Sequence, residues 1–265
     1  MLKHILIRLI SCLILNKNKK KLFKIKYLTG INNHGHNNRC ILVKENKKEV
    51  EVKYIKGLSI NFLGNNSTVK IYEPYHFSNC HLDIENDAEI ILKGSNYLIQ
   101  NMVTDGLIRS SNLIIEENCS FNGVTLVMQE KGCDITVCKD CMFGTNIILR
   151  PTDSHLIYNK TTNNVLNSPE NIFIGSHCWI GTNSTILKGV RIPNNSIIGM
   201  NSVVTRSYCK NKNSQEGGIY AGNPAKLVRR LEKDETWHRL CKQEYFVINA
   251  SNPHGCRESN PPISS

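Results

Sequence analysis

The stretch IFIGSHCWIGTNSTILKG, residues 172–189, repeats itself every six positions. Stepping by six from Ile174 reaches Ile180, Ile186, Ile192, Ile198 and Val204, an unbroken aliphatic series. Four residues after the first five of these stand Cys178, Ser184, Val190, Ser196 and Ser202, all small or slim. Glycine follows the aliphatic residue at Gly175, Gly181 and Gly199, where a tight corner favours a residue without Cβ. A helix asks for apolar residues three and four apart and a half-buried strand for strict alternation, so neither explains a sustained period of six. A coil of short strands does. Each hexapeptide forms one flat side, three sides form a triangular rung, and stacked rungs bury an aliphatic column that no single rung closes alone.

The same rhythm runs more loosely upstream, through Val137, Phe143 and Leu149, through Ile115, Phe121 and Val127, and through Ile84 and Ile90. Between Leu149 and Ile174 the phase breaks, and the intervening RPTDSHLIYNKTTNNVLNSPEN (150–171) is polar. It reads as a loop thrown out from the coil, and loops on rigid scaffolds are where chemistry tends to sit. Trp179 occupies the free position just before Ile180, on the outside of the coil, where a large aromatic suits the wall of a ligand groove, the underside of loop 150–171 or a subunit contact.

The remaining composition sets limits. Eight of the net +11 charges lie at Lys3, Arg8, Lys17, Lys19, Lys20, Lys21, Lys24 and Lys26, with no acidic residue before position 30. The apolar run LKHILIRLISCLIL (2–15) is too short to span a bilayer, which takes about 20 residues, and lacks a signal-peptide cleavage site. Residues 1–30 therefore read as a basic amphipathic helix, suited either to peripheral contact with the inner face of an anionic membrane through 1–26 or to docking on the protein body. The 11 cysteines are scattered and read as reduced thiols of a cytoplasmic protein. Cys138 and Cys141 have metal spacing but no second pair to complete a site, and His34 and His36 sit in a polar loop, so no metal is expected. No phosphate-binding glycine loop, paired-carboxylate signature or nucleic-acid module is present.

The hexapeptide run, ILKGVRIPNNSIIGMNSVV (186–204) and YAGNPAKLVRRL (220–231) resemble the left-handed parallel β-helix acyltransferases that use acetyl-coenzyme A. LRPTDSHLIYN followed by NIFIGSHCWIGTNSTILKG is similar to the bacterial capsular polysaccharide O-acetyltransferases, especially those acting on polysialic acid. The resemblance is firm over 135–231. It implies an all-β left-handed β-helix over 31–225, with a protruding active-site loop at 150–171. Pro224 ends regular pairing, so AKLVRRLEKDETWHRLCKQ reads as the start of a C-terminal helix over 226–249, and 250–265 reads as a disordered tail. A sugar hydroxyl needs a base to take its proton as it attacks the thioester, and histidine, with a pKa of about 6.5, suits that task. The resemblance makes His155 that base, with Asp153 fixing its tautomer and His177 ranked second. It sets Trp179 beside the thiol of coenzyme A, lines the pantetheine arm with Thr182, Met200 and Thr205, and meets the phosphates with Arg206, Lys226 and Arg229. It also implies a homotrimer with sites between adjacent coils. The expected activity is acetyl transfer from acetyl-CoA to a cell-surface polysaccharide. A small sugar, amino sugar, lipid-linked glycan or serine is the alternative acceptor. More remote are an inert scaffold and a zinc hydratase, the latter needing three converging histidines where the coil offers His155 and His177, with His76 and His81 much earlier.

Overall fold

The computed structural model describes residues 30–206, 217–232 and 234–238. The chain winds as a left-handed parallel β-helix whose three faces are three sheets of eight strands each. The first face runs from Ile31–Asn33 through Ile147–Arg150 and Thr185–Leu187 to Val203–Val204. The second runs from Arg39–Val43 through Ile135–Val137 and Ile172–Ile174 to Arg191–Ile192. The third runs from Phe77–Ser78 through Met142–Phe143, Trp179–Ile180 and Ile197–Ile198 to Gly218–Gly222. An antiparallel strand closes the second face at one end, where Glu49–Glu51 pairs with Arg39–Val43, and another closes the third face at the other.

The period of six has the expected cause. Ile174, Ile180, Ile186, Ile192, Ile198 and Val204 have no measurable exposure. They stack on one another across rungs in the registers Ile174↔Ile192, Ile180↔Ile198 and Ile186↔Val204. Each such side chain, fully buried, contributes roughly 1.5–3 kcal/mol relative to leaving it in water. Val137, Phe143 and Leu149 continue the column, and the rings of Phe121 and Phe143 meet with centroids 4.4 Å apart. One position differs from expectation. The column residue in the rung before Leu149 is Leu126, opposite it in register, while Val127 is the next residue along and donates its N–H to the Leu149 carbonyl. The side from Phe121 to Leu126 is five residues long where the side opposite it, from Phe143 to Leu149, is six, so a strict count of six overshoots by one.

The corners divide labour among three residue types. The small residues pack inward with their polar atoms satisfied: the hydroxyls of Ser184 and Ser202 both donate to the Gly199 carbonyl, and the Cys178 thiol and Ser196 hydroxyl donate to that of Pro193. The glycines after the aliphatic residues are not the left-handed residues of the corners. A Cβ on Gly181 would stand 2.6 Å from the backbone nitrogen of Met200, so close stacking of rungs excludes a side chain there. The left-handed corner residues are instead mostly asparagines, such as Asn146, Asn183 and Asn201, with Asp140 and His177 among them. Seven cysteines in the described residues are free thiols. Burial, helped by Glu51, pushes the Cys40 thiol up to about 12, and burial first pushes Cys133 up to about 11, which keeps both protonated and unreactive.

The C-terminal helix expected from residue 226 is not formed. Gly222, in the left-handed region at φ 103°, begins a turn through Asn223 and Pro224, and Ala225–Arg230 returns as a strand antiparallel to Gly218–Gly222. The last rung leaves an open edge of backbone donors and acceptors, and pairing with it satisfies them, where a short isolated helix would be marginal. No α-helix occurs among the described residues, and none there is long and apolar enough to cross a membrane. The amphipathic helix of 1–30 falls on residues outside those described, apart from Gly30, as do the rest of the helix from 239 and the tail 250–265.

The column makes a direct prediction. Ile180→Ala should lower unfolding stability by about 2–5 kcal/mol through the cavity it leaves, whereas Ile197→Ala, on the outer side of the next rung of the same face, should cost under about 1 kcal/mol. Denaturant unfolding followed by circular dichroism measures both.

Candidate functional site

The loop between the first and second faces departs from the coil without disturbing its phase. Rungs after it are eighteen residues apart, as between Ser176 and Asn194, while partners across it are 37 apart, as between Cys141 and Cys178. Its two ends are clamped where the Glu170 N–H donates to the Pro151 carbonyl at 3.0 Å. The Thr152 hydroxyl, fully buried, bonds to the Glu130 carboxylate of the preceding rung. Ser154 adopts a left-handed conformation (φ 64°) and turns the chain outward at His155. Beyond that the loop folds on itself as a narrow hairpin, with Tyr158 bridged antiparallel to Val165 and a tip at 159–164. Its flanks expose Leu156, Ile157, Tyr158, Val165 and Leu166.

Two later rungs strap the loop down. The Lys188 ammonium reaches the Asp153 carboxylate at 2.5 Å and donates to the carbonyls of Asn167 and Ser168 at 2.9 and 3.3 Å. One rung further on, Arg206 pairs with Glu170 at 2.8 Å. Asn167 is the hub: its amide donates to the Asp153 carboxylate at 3.0 Å and to the His155 carbonyl at 2.7 Å, and its oxygen accepts from the Ile157 N–H at 2.6 Å. Hydrogen bonding from Lys188, reinforced by Asn167 and by the charges of Lys188 and Arg150, holds the Asp153 carboxyl below its ordinary value against a small opposing effect of burial. Among the described residues, the Asp153 carboxylate meets Lys188 and Asn167, and no hydrogen bond joins it to the His155 imidazole. His155 itself is exposed.

The other expected site residues fall in two groups. Trp179, 40% exposed, stands in the middle of the third face, between Met142 and Ile197 in register. Thr182 and Met200 lie at the adjoining corner between the third and first faces, in successive rungs joined where the Asn201 N–H donates to the Thr182 carbonyl. Lys226 and Arg229 are exposed on the terminal strand of the third face. Thr205 and Arg206, by contrast, follow the last strand of the first face, beside the root of the loop. In a triangular coil the corner that carries His155 is opposite the face that carries Trp179, so one chain does not bring them together. His177 is at a third place, the corner between the second and third faces, with φ 56° and stacked with Asp140 and Asn195. Sequence reasoning missed Lys188, Asn167 and Glu170. Lys188 occupies a position the repeat leaves free, and the other two are ordinary polar loop residues, so no signal marked them.

The coil is of the hexapeptide-repeat kind, and residues 171–206 match the bacterial transferase hexapeptide (six repeats) family. The chain is 34% identical over 137 residues to the polysialic acid O-acetyltransferase of Neisseria meningitidis, covering 49% of this chain and 60% of that protein. It is 30% identical over 139 residues to the enzyme of the same name from Escherichia coli O1:K1 / APEC, covering 51% and 41%. The aligned part is thus under two thirds of either relative. The solved polysialic acid O-acetyltransferase OatWY matches with a TM-score of 0.62 at 25% identity, covering 84% of this chain and 98% of that one. The polysialic-acid-specific acetyltransferase NeuO matches with a TM-score of 0.53 at 25% identity, covering 80% and 89%. Residues 171–206 thus carry the family's repeat, and about half of the chain is similar in sequence to the polysialic acid O-acetyltransferases.

The strap carries a pH signature. Because the folded-state pKa of Asp153 lies below its unfolded value of 3.8, the contribution of the Lys188 contact is complete above that value and is lost as pH falls through the lower one. Hydrogen-exchange protection at Ile157 and Leu166 should therefore fall on acidification below about pH 4. Lys188→Met should lower that protection already at neutral pH and flatten its dependence on acid.

Proposed function

We propose that the protein is an acetyl-CoA-dependent O-acetyltransferase that acetylates a hydroxyl of a bacterial cell-surface polysaccharide, capsular and sialic-acid-containing. The observation that carries this reading is a histidine held at the root of a strapped loop, in a chain similar over half its length to two polysialic acid O-acetyltransferases. In this reading the His155 imidazole takes the proton from the acceptor hydroxyl as the oxygen attacks the thioester carbonyl. The proton then leaves with the coenzyme A thiol. Asp153 acts as a positioning residue: Lys188 and Asn167 bind its carboxylate, and the same Asn167 fixes the backbone of His155.

The separation of His155 from Trp179 supports a homotrimer with the site between neighbouring copies. The first copy supplies His155, Thr205 and Arg206 from its loop corner. The next supplies Trp179, Thr182 and Met200 along the acyl and pantetheine end, with Lys226 and Arg229 toward the phosphates. Exposed cations and aromatics fit that division, since coenzyme A presents phosphates at one end and a thioester at the other. No metal enters the scheme. The basic segment 1–26 is assigned to the inner membrane face, where each nearby lysine or arginine contributes about 1 kcal/mol toward an anionic surface, and the protein to the cytoplasm. The overall positive charge favours encounter with an acidic polymer.

His155→Ala should reduce kcat for acetyl transfer by about 10²–10⁴ while leaving the far-ultraviolet circular dichroism unchanged. Thiol release from acetyl-CoA in the presence of acidic and neutral capsular polymers measures it. Near-normal turnover sinks the assignment of the base, and release only with free sugars or serine sinks that of the acceptor. Trp179→Phe should retain the fold and raise the KM for acetyl-CoA.

A further inference from the structure

Far from the loop, the widened corner before Phe77–Ser78 carries an open pocket of about 480 Å³, within the ordinary range of small-molecule sites. Its wall is aromatic: Tyr75 stacks on Phe77 with ring centroids 5.7 Å apart and planes within 24°. Around that wall stand Glu45, Lys56, Glu73, His76 and Leu98. Glu73 is held at the rim, where its carboxylate accepts the Glu45 N–H at 3.4 Å.

The position of this cavity matters as much as its lining. Phe77–Ser78 is the first strand of the third face, and Trp179–Ile180 lies four strands along the same sheet. The register runs Trp179↔Met142 and Met142↔Ser120; Phe121↔Ile99 and Phe77↔Ile99 then bring Leu98 and His76 into the same outward row. At about 4.8 Å per strand, the cavity lies about 19 Å from Trp179. Lys226 and Arg229 lie beyond Trp179 in the other direction on that face. One face therefore carries, in order along the axis, the terminal cations, the tryptophan and an aromatic pocket.

A pyranose ring offers an apolar C–H face, which stacks on aromatic rings, and a rim of hydroxyls, which need acceptors and donors. Carboxylates only accept, and so bind hydroxyl or ammonium hydrogens; an ammonium only donates. Two carboxylates against one ammonium disfavour an anionic sugar through like-charge repulsion. We propose that the Tyr75 pocket binds a neutral or amino hexose residue of the acceptor chain, several residues away from the hydroxyl that is acetylated at Trp179. This rests on the reading of the protein as a polysaccharide O-acetyltransferase, and adds that the acceptor polymer contains uncharged or amino hexose as well as acidic sugar.

The test is saturation-transfer difference NMR on the full-length protein, with glucose, galactose and glucosamine oligomers against sialic acid oligomers. Each is measured on the wild type, on Tyr75→Ala and on Lys56→Met, whose exposed position leaves folding intact. Hexose ring protons should be saturated in the wild type and lose that signal in both variants. KM for a hexose-containing polymer should rise about tenfold in both variants, equivalent to about 1.4 kcal/mol. Hexose signals that survive both substitutions, or sialic acid oligomer signals that are lost in both variants, overturn the proposal. Hexose binding that depends on Tyr75 while no acceptor is ever acetylated supports the pocket and sinks the acetyltransferase reading, so the two fail separately.

Discussion

Everything in this protein depends on backbone hydrogen bonds running along the axis from one rung to the next. A strand of two or three residues has no stability of its own, and here it persists because every rung hands its donors to the rung beside it. That requirement forces each rung to return in phase, fixes glycine where backbones approach, and selects asparagine for corners that must turn through the left-handed region. Side chains divide accordingly. Inward ones fill a column, and outward ones stand on regular faces where some of them, such as Lys188 and Arg206, hold the loop. An exposed tryptophan on such a surface is therefore informative in a way that an exposed tryptophan on an irregular protein is not.

The parts legible in the sequence are those that the repeat constrains. A buried column position accepts only aliphatic or aromatic residues, so Ile174 through Val204 declare themselves, and the break after Leu149 marks the loop. Phase failed at Val127 because the side from Phe121 to Leu126 is one residue short, and a count of six has no means of sensing that. The strand Ala225–Arg230 was read as helix because its pairing depends on an open edge built by Gly218–Gly222, a partner that local pattern does not display. Lys188 and Asn167 escaped notice for a related reason. The meaning of Lys188 comes from a rung that the winding brings to Asp153 across 35 residues of chain, and that of Asn167 from the loop folding back on itself across 14.

The geometry also separates two tasks that many active sites combine. Positioning of His155 is local to one chain, through Asn167, Lys188 and the clamp at Pro151. Trp179 belongs instead to the flat third face, where regular strands give a straight, outward-facing row. The His155 corner lies opposite that row, so within one chain the two stand apart.

The clamp at Pro151 and Glu170 has one more consequence. Because the insertion leaves and re-enters the coil at a single backbone hydrogen bond, its length is thermodynamically disconnected from the column, and doubling it costs only about 0.6 kcal/mol in closure entropy. The coil behaves as a chassis with a socket. Residues at the hairpin tip, 159–164, are open to replacement over evolutionary time without risk to the column.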